Sequence, residues 1–153
     1  MTSLVFPDIN VWLALSSRDH KHSGAAWAWY RGLPPRTALV FCRMTQLGLL
    51  RLLTSHSVMG QGTLTQFQAW EAYDRLLQGA GAQFADEPWG LEPRFRSVTG
   101  TEQASPKEWA DAYLAAFCSV AGVTLVTFDR ALAGKAKGAV LLGLAEAPDG
   151  RAC

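Results

Sequence analysis

Three aspartates occupy positions where a carboxylate can do chemistry. Asp8 directly follows the short apolar run Leu4-Val5-Phe6, and Asp129 directly follows the apolar, β-branched stretch Val123 to Phe128. Asp111 lies in a segment whose other members, Trp109 to Phe117, are apolar almost all round. In open parallel sheets ligands bind in the crevice at the carboxyl ends of the strands, so the first two acids converge there if their strands are neighbours. A carboxylate embedded in an apolar helix takes up a proton or needs a positive partner, and a metal ion is one such partner. Three carboxylates gathered together repel one another. A divalent cation reverses that balance and lowers the pKa of a coordinated water until it is a usable nucleophile. Acid-rich, all-oxygen ligation points to magnesium or manganese rather than zinc. The reaction this suits is hydrolysis of a phosphodiester.

The elements that must position these acids alternate along the chain. Ser3 to Phe6 reads as a strand and Ile9 to Leu15 as a helix, with a second helix from about Ser23 to Arg31 that Gly32-Leu33-Pro34-Pro35 ends. Ala38 to Phe41 is a second strand, and Met44, Leu47, Leu50, Leu52 and Leu53 recur at helical spacing through Thr54. Thr63 with Gln66 has the form of a capping box for a helix to about Gln78, which Gly79 and Gly81 close. Gln83 to Ala85 is a candidate third strand, and Glu87 to Gln103, with its Pro, Gly and mixed charge, reads as irregular. Ser105-Pro106-Lys107-Glu108 carries a cap, a first-turn proline and a glutamate that can reach back to the cap, predicting a helix from Pro106 to about Ala121 with Gly122 as its stop. Val123 to Phe128 is a buried strand, Asp129-Arg130 opens a short helical turn, and Ala139 to Leu142 makes a last strand. Such alternation favours an α/β three-layer sandwich with a central parallel sheet of about four to five strands flanked by helices.

Composition bounds what this fold can do. With 153 residues, 49% hydrophobic and 18% charged, the chain has material for one domain, 1–153, with a sizeable core, and too much apolar area for disorder. A net charge of +1 gives no global pull towards nucleic acid, so RNA binding must rest on local charge. Cys42, Cys118 and Cys153 are odd in number and without a His at zinc-ligand spacing, so they read as reduced thiols of a cytoplasmic protein. No stretch has the signature of a signal peptide or a membrane span, so no membrane partner is expected.

Four segments in this order resemble the PIN-domain nucleases, and within them the VapC-type toxin ribonucleases of bacterial toxin-antitoxin modules. They are Phe6-Pro7-Asp8-Ile9-Asn10-Val11-Trp12-Leu13-Ala14-Leu15, Thr45-Gln46-Leu47-Gly48-Leu49-Leu50-Arg51-Leu52-Leu53-Thr54, Trp109-Ala110-Asp111-Ala112-Tyr113-Leu114-Ala115-Ala116 and Leu125-Val126-Thr127-Phe128-Asp129-Arg130. The resemblance implies an endoribonuclease that binds magnesium or manganese through Asp8, Asp111 and Asp129. It also implies a homodimer and inhibition by a cognate antitoxin protein. Asn10 and Thr127 match small polar positions that support the metal site. Gln46 stands where many members carry glutamate, so the site has one carboxylate fewer and weaker metal binding is expected. Glu87 is a candidate to compensate, whereas Glu108 is spoken for as a cap.

Blander readings compete. Asp8 and Asp129 each suit a helix N-cap, and Asp111 suits an ion pair with a Lys or Arg. His20 and His22 read as surface histidines. Trp27, Trp29, Trp70, Trp89 and Trp109 read mostly as core, although aromatic faces also stack on unpaired bases. Arg43, Arg51 and Arg130 lie close in sequence to the acids and can contact RNA phosphate, or simply be solvated. Two other functions remain. A phosphatase with an Asp nucleophile after the first strand is disfavoured because the second Asp it needs is Asn10. A noncatalytic RNA- or protein-binding module, with metal binding weakened through Gln46, is the principal alternative.

Overall fold

The computed structural model describes residues 2–143. Five strands form one parallel sheet: β1 (Ser3–Pro7), β2 (Thr37–Phe41), β3 (Ala82–Phe84), β4 (Thr124–Thr127) and β5 (Val140–Leu141). Their order is β3-β2-β1-β4-β5, so β1 is central and the chain switches sides of it between β3 and β4. Between the strands lie eight α-helices: α1 (Ile9–Ser16), α2 (Ser23–Arg31), α3 (Arg43–Leu53), α4 (His56–Met59), α5 (Gln66–Gly79), α6 (Leu91–Thr99), α7 (Glu108–Ala121) and α8 (Arg130–Ala133). Among the described residues no helix is long and apolar enough to cross a membrane.

Period-two alternation along the strands builds the two faces. Val5, Leu39, Phe41 and Val126 pack with buried residues of α1, α2, α3 and α5, while Phe6, Val40 and Leu125 pack with those of α6, α7 and α8. The sheet is thus covered on both sides, giving the three layers the alternation predicted. Trp12 of α1 stacks on Phe41 at the end of β2, ring centroids 3.7 Å apart, and on the other face Phe6 meets Phe117 at 5.2 Å.

Several expectations from the sequence need correction. Residues 87–103 are not irregular throughout, because α6 forms there: Pro93 falls in the first turn, where a missing N–H costs nothing, and Leu91 is buried in the core. The capping box of α5 is Thr65 with Gln68, two residues beyond the expected pair, since the Thr63 hydroxyl donates to the Gly60 carbonyl at 2.6 Å. Helix α7 begins at Glu108 and its side chain does not cap, being drawn to Lys135. Trp70, Trp89 and Trp109 are exposed, Trp89 almost wholly at 98%, whereas Trp27 and Trp29 pack against the core. The residues α4 spans were also read without a helix. Of the other expectations, Gly122 stops α7 in the left-handed conformation as predicted, and Cys153 lies outside the described residues.

One close approach ties α3 to the residue beside Asp8. A Cβ added at Gly48 would lie 2.3 Å from Ile9 Cδ1 and 2.8 Å from Ile9 Cγ1. Alanine is ordinarily favoured over glycine inside a helix by about 1 kcal/mol. Here the overlap reverses the sign: Gly48→Ala is expected to destabilise by about 1–2 kcal/mol in urea unfolding, and Ile9→Ala in the same chain to recover part of the loss. A gain in stability from Gly48→Ala alone would show that Ile9 yields freely.

Candidate active site

Asp8 sits where β1 ends and α1 begins, and both neighbours use it. Its backbone N–H donates to the Val126 carbonyl at 2.9 Å, extending the β1–β4 pairing by one residue. Its Oδ1 accepts from the Val11 N–H at 3.0 Å and so caps α1. Its Oδ2 accepts from the Thr127 hydroxyl, at the end of β4. The Thr127 oxygen in turn accepts the Asp129 N–H at 2.9 Å. Thr127 is fully buried and joins the Asp8 carboxylate to the backbone of Asp129, at the sheet edge where both strands end.

Burial pushes the Asp8 carboxyl above the ordinary carboxylate range. The Thr127 hydroxyl and the N–H groups of Val11 and Asn10 pull against that shift, and the Asp129 charge adds to it. Asp129 is exposed; its Oδ1 accepts from the N–H groups of Ala131 and Leu132 at 2.8 and 3.1 Å, capping α8. The helix-cap readings of Asp8 and Asp129 are therefore correct in themselves. They leave other lone pairs of each carboxylate for a ligand.

Asp111 stands on α7, 3.8 Å from the Lys135 ammonium, with its side chain 31% exposed. Burial raises its carboxyl, Lys135 lowers it, and the charges of Asp129 and Glu108 raise it again. Glu108, one turn earlier, accepts a hydrogen bond from the same ammonium. Among the described residues no three acid, histidine or cysteine side chains converge closely enough to hold one ion as they stand. The donor set nonetheless fits a hard cation: three carboxylates, all oxygen, with the Asp129 charge acting on both Asp8 and Asp111, and with Thr127 bonded to the Asp8 carboxylate and to the Asp129 backbone.

The supporting residues separate in place. Asn10 is exposed on α1, and no described hydrogen bond involves its side chain. Gln46 is buried on α3, and its Oε1 accepts from Arg43, whose guanidinium also lies 4.6 Å from the centre of the Phe84 ring. The Gln46 amide is thus engaged with a cation of its own. Glu87 accepts the Tyr113 hydroxyl at 2.7 Å. Arg130 is exposed at the start of α8. His20 and His22 are half-buried instead of on the surface: the His22 ring stacks on Phe128 at 4.2 Å, its backbone N–H donates to His20 Nδ1 at 3.0 Å, and burial lowers the pKa of both rings. Lys135 is the one element of the site that sequence reasoning missed, apart from anticipating that Asp111 needed a positive partner.

The PIN domain family model matches residues 5–138. Ribonuclease VapC41 of Mycobacterium tuberculosis is 42% identical over 128 residues, 81% of this chain and 88% of its own. The chain belongs to the PIN-domain family, among its VapC members. Ribonuclease VapC44 of the same organism is 29% identical over 82% of this chain and 86% of its own. The crystal structure of Mycobacterium tuberculosis VapC20, a Sarcin-Ricin loop cleaving toxin, superposes with a TM-score of 0.60 at 17% identity, covering 86% of this chain and 94% of its own. That of PAE2754 from Pyrobaculum aerophilum gives 0.57 at 21% identity, over 92% and 91%. At those identities the two structures share the fold. The parallel sandwich is the architecture that the family resemblance implied.

Proposed function

We propose that this PIN-domain protein is an endoribonuclease, the toxin of a toxin-antitoxin pair, acting as one domain with magnesium or manganese held by Asp8, Asp111 and Asp129. The observation that carries the reading is the Asp8–Thr127–Asp129 linkage at the carboxyl edge of the central strands. One buried hydroxyl fixes the Asp8 carboxylate and the backbone of Asp129 together, an arrangement that two independently solvated acids would not need. Similarity to proteins named ribonucleases over most of the chain supplies the substrate class. When bound, the cation would neutralise the gathered carboxylates and lower the pKa of a water that attacks the phosphodiester.

The protein's own groups do the rest. The Thr127 hydroxyl favours the ionised form of Asp8 and aims it, and the caps on α1 and α8 fix the backbone at both acids. Arg43, held by Gln46 and Phe84, and Arg130 are assigned to RNA phosphate contact. A cognate antitoxin, a homodimer and residence in the cytoplasm complete the reading, the last in keeping with the free thiols of Cys42 and Cys118. The test is cleavage of a defined pool of structured RNAs by purified protein with magnesium or manganese. Loss of the cut products on chelation is the expected result. Folded, antitoxin-free protein that cuts nothing with either ion would instead favour a binding module.

The pH profile probes the linkage directly. The Thr127 hydroxyl favours ionised Asp8, so Thr127→Val raises that carboxyl further and shifts the acidic limb of kcat/KM to higher pH. It also leaves the Asp129 N–H without its acceptor, at a cost of about 1–2 kcal/mol in unfolding. An unmoved acidic limb in Thr127→Val would remove Asp8 from the titration that limits the rate.

A further inference from the structure

Lys135 lies outside every motif that carries the family resemblance, yet it makes the one ion pair among the described residues that involves a candidate cation ligand. It follows α8 in the connection to β5, with its N–H donating to Leu132 at 3.0 Å. Its ammonium reaches back across the α7 surface to two carboxylates three residues apart on one helical face, Glu108 and Asp111. The side chain is 29% exposed, so a four-carbon stem is ordered by those two contacts.

The two contacts are unequal. Glu108 accepts a hydrogen bond from the ammonium, whereas Asp111 is 3.8 Å away, beyond hydrogen-bond reach. Asp111 can therefore leave without freeing Lys135. Among the described residues no three candidate ligands converge as they stand, and Asp111 is the candidate acid paired with a positive charge.

We propose that Lys135 is a resident competitor for the cation site: its ammonium holds Asp111 aside in the metal-free protein, and a divalent cation must draw that carboxylate from it. This rests on the reading that Asp8, Asp111 and Asp129 form the site. The competition is one long, partly exposed ion pair plus the repulsion between an ammonium and a nearby dication. It tunes affinity without blocking the site. Glu108 keeps Lys135 in place whichever partner Asp111 takes.

Manganese binding to the whole protein, followed by calorimetry and by the electron paramagnetic resonance signal of free Mn2+, tests this without reference to cleavage. Lys135→Met is expected to bind Mn2+ about two- to fivefold more tightly than the natural protein, from the worth of a partly exposed pair. Lys135→Arg, which keeps the charge, is expected to stay near the natural affinity. Thermal unfolding gives a second readout. Lys135→Met should be less stable than the natural protein when metal-free, and saturating Mn2+ should narrow the gap. A merely structural lysine would instead leave the same gap with and without Mn2+, and affinity unchanged or weakened; either result overturns the proposal. Asp8→Asn separates the levels. If it abolishes binding while Lys135→Met changes nothing, the competitor role alone falls; if the natural protein binds no Mn2+ at millimolar concentration, the cation site falls with it.

Discussion

Asp8→Asn is expected to lower RNA cleavage by about a hundredfold or more while making the metal-free protein more stable at pH 7. Activity falls because the amide keeps one acceptor oxygen but loses the charge that gathers a cation. Stability moves the other way because the Asp8 carboxyl is raised by burial. The sign follows from linkage: a carboxyl whose folded pKa is raised above its ordinary value favours folding below that ordinary value, and this contribution is lost as pH rises through the folded pKa. As pH rises, the charged form that burial disfavours comes to oppose folding, and Asn removes that penalty. Asn also caps a helix as well as Asp, so the bond from the Val11 N–H to Oδ1 has a replacement. The gain is expected as a rise in Tm at neutral pH that shrinks and vanishes in acid. Cleavage and thermal unfolding on one preparation, at pH 7 and near pH 4, check both halves. A variant that cleaves like the natural protein would remove Asp8 from the chemistry.

Trp12→Ala acts on the scaffold. Trp12 and Phe41 are both fully buried and stacked, one from the helix that starts at Asp8, the other from the strand that leads to Arg43. Truncation removes the largest fully buried side chain of the core, and the expected loss is about 3–5 kcal/mol, roughly ten degrees in Tm. Against a typical total stability of about 5–15 kcal/mol this leaves a marginal fold. Trp12→Phe separates stacking from volume. It retains a ring against Phe41 and removes an indole N–H that has no partner among the described residues, so its cost should stay below about 1.5 kcal/mol. Urea unfolding by circular dichroism measures both. Equal losses from Ala and Phe would point to the indole edge as the part that matters.

Asp8 and Asp129 were legible in the sequence because both the strand end and the cap that hold them are local signals, spanning a few residues each. Asp111 was legible as an anomaly, an acid among apolar neighbours, although the cation that answers it lies 24 positions further along in a connection with no motif. The capping reading of Glu108 failed for the same reason, since its partner Lys135 is 27 residues away. Helix α6 was masked by Pro93 and the left-handed Gly90, punctuation that ordinarily signals a loop but here falls at the helix start. The exposed tryptophans were missed because periodicity marks a helical face without saying what covers it.

The hydroxyl that joins the two acid-bearing strand ends links positions 119 residues apart, and the strand pairing beside it spans nearly the whole chain. Closing so long a loop is paid in chain entropy before any contact returns it, so this pairing belongs among the later steps of folding. A ribosome releases Asp8 early, when nothing yet exists for it to meet. The order of synthesis therefore makes the Asp8–Thr127 linkage a property of the finished chain: until β4 has emerged and docked against β1, Asp8 has neither its hydroxyl donor nor its neighbouring acid.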